Sequence, residues 1–104
     1  MRDCYVYIMT NRRNHVLYVG VTSNLMKRVS QHKLGIFEGF TKQHNVHKLV
    51  YYEMFPEMRY AIEAEKKLKA GSRKKKEALI IAMNPTWQDL AEELDIGLKS
   101  ILNG

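Results

Sequence analysis

Two short runs, residues 5–10 (Tyr-Val-Tyr-Ile-Met-Thr) and 16–21 (Val-Leu-Tyr-Val-Gly-Val), are dense in β-branched and aromatic side chains, and a short polar loop beginning Asn11-Arg-Arg-Asn14 separates them. Such a pair predicts an antiparallel hairpin. Thr22, Ser23 and Asn24 then offer N-caps for a helix running to about His32. Gly35 and Gly39 punctuate a loop carrying Phe37, Phe40 and Lys42, and residues 47–53 read as a third strand. Pro56 stands where a helix can begin, and the pattern is helical from Glu57 to Ala70. Gly71 and Ser72 read as a stop and a new N-cap, followed by four bases, Arg73 to Lys76, and an apolar run ending at Met83. Asn84-Pro85 breaks that helix, and Thr86 with Asp89 resembles a capping box for a last helix around Trp87–Leu94. The order predicts one α+β domain with a small, mainly antiparallel sheet.

A chain of 104 residues has room for one domain and one modest core. Seventeen Lys and Arg against eleven Asp and Glu leave a net charge of +6, which favours a polyanionic partner. No apolar run approaches the roughly 20 residues needed to span a bilayer. No basic amphipathic helix with an aromatic face is evident, so nucleic acid is the expected partner rather than a membrane. The opening Met-Arg-Asp-Cys-Tyr lacks the apolar region of a signal peptide, and the single cysteine, Cys4, suits a reducing cytoplasm. Without cysteine pairs, the four histidines give no zinc-ligand spacing.

Strand alternation places Tyr5, Tyr7 and Met9 on one face and Val6 and Ile8 on the other. In the partner run Leu17, Val19 and Val21 form an aliphatic face, with Val16, Tyr18 and Gly20 opposite. If the aliphatic faces share the core, Tyr7, Tyr18 and the bare backbone of Gly20 share the other side. A glycine inside a strand marks a bulge or a close approach and leaves space beside two phenols. The plainer alternative is that the tyrosines fill a second hydrophobic layer. On the following helix, Arg28 and His32 fall roughly 40° apart, at the edge of the Leu25 and Val29 stripe. That puts both at the rim of the buried face.

On the helix from Glu57, the residues Met58, Ala61, Ile62 and Leu68 form an apolar stripe, and Glu65 points from its middle while Glu63 faces solvent. A carboxylate there is unfavourable unless paired, protonated or bound to a metal. An ion pair with Arg28 or a neighbouring lysine would satisfy it. So would a hard cation such as Mg²⁺, which takes one or two carboxylates, keeps several waters and accepts phosphate oxygens. One carboxylate is too few for a two-metal clamp. A single ion, an arginine and phenols still suffice for phosphodiester hydrolysis, with the ion offsetting developing charge and a polar side chain taking a proton from water.

Tyr5-Val6-Tyr7, Tyr18-Val19-Gly20, Arg28, His32 and Glu65, in this order and spacing, resemble the GIY-YIG nuclease superfamily. The likeness is to its small stand-alone bacterial members, related to the nuclease domain of excision-repair endonucleases, and extends over about residues 4–90 through Lys48–Glu53, Ala61–Lys69 and Asn84–Leu90. The resemblance implies a three-stranded antiparallel sheet flanked by helices. It implies that Tyr7 and Tyr18 are the two motif tyrosines with Gly20 beside them, that Arg28 holds the scissile phosphate, and that Glu65 binds one divalent ion, Mg²⁺ or Mn²⁺. His32 would activate water or orient a tyrosine, and the identity of the base stays open. Asn84 matches a late polar position that supports the site, or serves with Pro85 as a helix stop. The first motif departs from the pattern in reading Tyr-Val-Tyr, without its glycine and isoleucine, and Ala70-Gly71 replaces a bulky aromatic. Residues 91–104 fall outside the pattern and are expected to form a helical tail, of unassigned role, after a nuclease domain over residues 1–90.

The leading expectation is therefore a cytoplasmic, metal-dependent DNA endonuclease, with DNA favoured over RNA and a role in DNA repair. Its sequence specificity would come from a partner protein or be absent. The alternative is a nucleic-acid-binding module that does not cut, resting on Lys42, the Arg73, Lys74, Lys75 and Lys76 run, and the aromatics Phe37, Phe40, Tyr51 and Tyr52, taken as exposed for stacking on bases. That basic run also reads as a solvated helix start. Oligomeric state is left open.

Overall fold

The computed structural model describes residues 3–36, 39 and 43–94. The two β-rich runs become strands β1 (Cys4–Thr10) and β2 (Leu17–Thr22), paired antiparallel with Tyr7 opposite Gly20 and Met9 opposite Tyr18. Helix α1 (Leu25–Lys33) follows, then β3 (Lys48–Phe55), α2 (Met58–Ala70) and α3 (Arg73–Met83). The strands make one antiparallel sheet in the order β2-β1-β3, so β2 is an edge. The expected three-stranded α+β architecture is what the chain adopts.

Local chemistry sets the helix ends. Asn24 caps α1 by accepting from Lys27 N at 3.1 Å. At its other end Gly35 takes φ +67°, and the bonds Gly35 N to His32 O and Ile36 N to Gln31 O form a Schellman closure. Ser72 caps α3 by accepting from Lys75 N at 3.2 Å. Gly71 needs no glycine conformation, since its φ is −76°.

The two faces of the sheet carry separate cores. Val6, Ile8, Val19, Val50 and Tyr51 pack under Ala61 of α2 and Ile80 of α3. Tyr7, Met9 and Leu49 pack under Leu25 and Val29 of α1, together with Val46, Leu90 and Ala91. A register shift sets Ile8 opposite Tyr51 but Met9 opposite Leu49, leaving Val50 as an extra residue in β3. That bulge brings Val50 and Tyr51 into the same core.

Several expectations need correction. Tyr51 is buried in the core under α2 and α3 and Tyr52 is half-buried against Tyr5, so neither is a free stacking surface. Ile62 is 38% exposed, because the buried stripe of α2 runs Met58, Ala61, Ala64, Leu68 and leaves Ile62 to one side. The last helix does not begin at Trp87, whose φ of 56° is incompatible with it. Helix appears only at residues 91–94, and Asp89 caps it by accepting from Ala91 N at 3.0 Å. Phe37, Phe40, Lys42 and residues 95–104 lie outside the described residues.

Candidate active site

Tyr7 stands on the central strand, 1% exposed, and its ring leans across β2 over Gly20. A Cβ at Gly20 would come within 2.7 Å of Tyr7 Cε1 and closer still to the hydroxyl end. The glycine is therefore a seat for the phenol, as its place in the strand suggested. Tyr18, from the next same-face position of β2, sets its ring 6.3 Å from that of Tyr7.

His32 closes the cluster from α1. Its Nε2 lies 3.1 Å from the Tyr7 hydroxyl, and its ring meets both tyrosines edge-on at centroid separations of 5.8 and 5.2 Å. At 2% exposure it is buried, not at the rim where helical spacing put it. The Tyr7 and Tyr18 rings extend the buried face and cover it. Burial, then the positive charges of Arg28 and His47, lower its pKa from 6.5 to about 4. The imidazole is neutral at pH 7.

Tyr7 is pushed upward, first by burial, then by Tyr18, with Arg28 opposing and Glu65 reinforcing the shift; a hydrogen bond with Tyr18 adds to it. Its phenol stays protonated at neutral pH. Both charged candidates are thus near enough to act on one hydroxyl. The Arg28 charge acts on it from α1, on the tyrosine side of the sheet, and that of Glu65 from α2, packed on the opposite side. β2, over which the Tyr7 ring leans, is one of the two edge strands of the sheet.

Glu65 has a side chain 16% exposed, with Lys69 Nζ 3.6 Å away as an i,i+4 partner, while Glu63 is solvated as expected. Among the described residues no group of three or more His, Cys, Asp or Glu converges as a metal cage. A lone, largely buried carboxylate with only a long contact to an ammonium fits an ion that keeps most of its waters. Arg28 is half-buried and lines a cleft of about 300 Å³ with Thr22, Ser23, Asn24, Lys27 and Gln31. Lys27 was not singled out from sequence, although its place beside Arg28 was the available signal. His47, whose charge reaches His32, was also passed over.

Other candidates lie elsewhere. Asn84 is buried behind β3, its Nδ2 donating to Val50 O and Gln88 O at 3.3 and 2.7 Å and its Oδ1 accepting from Gln88 N at 3.0 Å. Arg73 donates to the carbonyls of His15 and Asn14, both at 2.6 Å, and Lys76 to Gly71 O. These two cations tie the backbone together. Lys74 and Lys75 are exposed.

Residues 3–78 match the family described as the GIY-YIG catalytic domain. A UPF0213 protein of Natronomonas pharaonis is 35% identical over 78 residues, 75% of this chain and 91% of its own. One from Clostridium perfringens is 33% identical over 92 residues, 88% and 98% of the two chains. The solution NMR structure of a UPF0213 protein from Bacillus halodurans superposes with a TM-score of 0.53 at 28% identity, covering 84% of this chain and 92% of that one.

Proposed function

The chain belongs to the GIY-YIG catalytic domain family, a family of nucleases, and from that premise we propose that it is a divalent-metal-dependent endonuclease cutting phosphodiester bonds in DNA. The observation that carries this reading is the Tyr7 hydroxyl, seated over Gly20 beside Tyr18 and 3.1 Å from His32 Nε2.

In this reading Glu65 holds one Mg²⁺ or Mn²⁺, which when bound supplies Lewis-acid stabilisation of developing phosphate charge. Arg28, at its cleft, orients the scissile phosphate. Tyr7 lies between Tyr18 and His32 Nε2, and its one proton points to Tyr18 or to His32 according to which ring nitrogen carries hydrogen. With the hydrogen on Nδ1, a proton from attacking water passes to Tyr18, from Tyr18 to Tyr7, and from Tyr7 to His32. Phosphate on Arg28 offsets one of the charges that weaken His32 as a base. Substrate thereby raises the basicity of the group that must accept the proton.

Nicking of supercoiled plasmid with Mg²⁺ or Mn²⁺ tests the proposal. Wild type converts plasmid to nicked or linear forms, and Glu65→Ala and Tyr18→Phe lose activity by roughly 10²–10⁴-fold. Mn²⁺ binding followed by electron paramagnetic resonance gives a second readout, lost in Glu65→Ala. Equal cleavage by wild type and Glu65→Ala would sink the reading. Salt-sensitive binding without cleavage, indifferent to metal, would favour a module that binds without cutting.

A further inference from the structure

Beside the tyrosine cluster, a second cleft of about 370 Å³ lies between the β1–β2 turn, the end of α1 and the start of β3. It is lined by Arg12, Lys33, Asn45, His47, Lys48 and Asp89, three full positive charges to one carboxylate. That carboxylate is already engaged. Asp89 holds the Lys33 ammonium and accepts Leu49 N and Ala91 N at 3.1 and 3.0 Å. Lys33 also donates to the His47 carbonyl at 3.0 Å. Burial holds the Lys48 ammonium below the usual lysine range in spite of the Asp89 charge, a deficit that a bound anion would relieve.

The turn that presents Arg12 is held on several sides. Asn11 Oδ1 accepts from His15 N and Val16 N at 2.8 and 3.2 Å, and Asn14 N closes on Asn11 O at 3.0 Å. The Arg73 guanidinium fixes the carbonyls of Asn14 and His15 from α3. Arg12 is exposed on this fixed turn. The cleft also adjoins the active site, since Lys33 follows His32 and the His47 charge acts on the His32 imidazole. Lys33 stands five positions after Arg28 on α1, a rise of roughly 7.5 Å along the helix axis.

We infer that this cleft is a second phosphate subsite, in which Arg12 and Lys48 grip a backbone phosphate of the strand whose scissile phosphate is held at Arg28. The inference rests on the nuclease reading, and it gives the substrate strand a fixed direction through the site without reading its bases.

Anisotropy of a labelled DNA duplex in EDTA, titrated with the full chain at a series of salt concentrations, tests it. In Arg12→Ala/Lys48→Met the plot of log K against log salt becomes shallower by about 0.9, the counterions of one phosphate. Binding at low salt weakens about tenfold. Arg59→Ala removes an exposed charge paired with Glu57 and leaves the slope unchanged. If the double variant melts far below wild type, Arg12→Ala alone, at an exposed turn position, carries the same comparison. A wild-type slope in the variants, or an equal loss in Arg59→Ala, overturns the subsite while leaving the nuclease reading standing. Wild type that binds no nucleic acid overturns both.

Discussion

Gly20 shows how much can depend on one missing methyl group. Its place opposite Tyr7 lets the phenol lie across an edge strand, where the Glu65 charge from the other layer is felt. Gly20→Ala must push that ring away, because the ring's far end is hemmed in by His32 and Tyr18. The expected cost is about 1–3 kcal/mol of stability from overpacking, read by urea denaturation, with loss of cleavage beyond what unfolding explains. An unchanged midpoint would mean that the ring does not rest on this strand. His32 makes a second prediction. Its folded pKa of about 4 lies below the unfolded 6.5, so between those values the unfolded chain binds more protons. The contribution of His32 is full above pH 6.5 and falls away as pH drops to about 4. Melting temperatures across that window should decline more steeply for wild type than for His32→Gln; parallel curves would refute a buried neutral imidazole.

Elements whose periodicity was unambiguous were legible in the sequence. The hairpin, the Asn24-capped helix and the Ser72-capped helix lie within a residue or two of their expected bounds. What escaped was set by partners distant in sequence. Asp89 sits where a capping-box pattern puts an N3 acid, yet its carboxylate binds Leu49 N, 40 residues earlier, and starts the helix later. The exposure of Ile62 follows from the angle at which α2 crosses the sheet, which one helix's pattern does not encode. Asn84 belongs to this level. Its amide bridges the end of α3, the Gln88 backbone and β3, so Asn84→Ala strands buried polar groups. A loss of about 2–4 kcal/mol by chemical denaturation is expected. A variant as stable as wild type but unable to cleave DNA would instead assign Asn84 to the chemistry.

Across the whole molecule, the site was more legible than the boundary of the domain. Strand alternation and helical spacing single out Tyr7, Tyr18, Arg28, His32 and Glu65, and the structure packs the Tyr7, Tyr18 and His32 rings together. Alternation cannot tell which strands are edges, so the position of β2 at one edge, beneath the Tyr7 ring, is not legible in it. Nor does local pattern show where the fold ends. The expected division after Leu90 cuts through the tyrosine-side core, in which Ala91 is 3% exposed and Leu94 packs beside it. The short helix holding them starts at Asp89, the same carboxylate that ties Lys33 to the start of β3. Removing residues 91–94 therefore uncovers the layer that keeps His32 neutral. A chain ending at residue 94 should be more stable than one ending at Leu90 by at least about 2 kcal/mol, or roughly 10 °C in melting temperature. The shorter chain should also show a higher His32 pKa by NMR titration, because water entering under α1 removes the burial that depresses it. Identical melting and titration in the two chains would place the end of the folded domain at Leu90 after all.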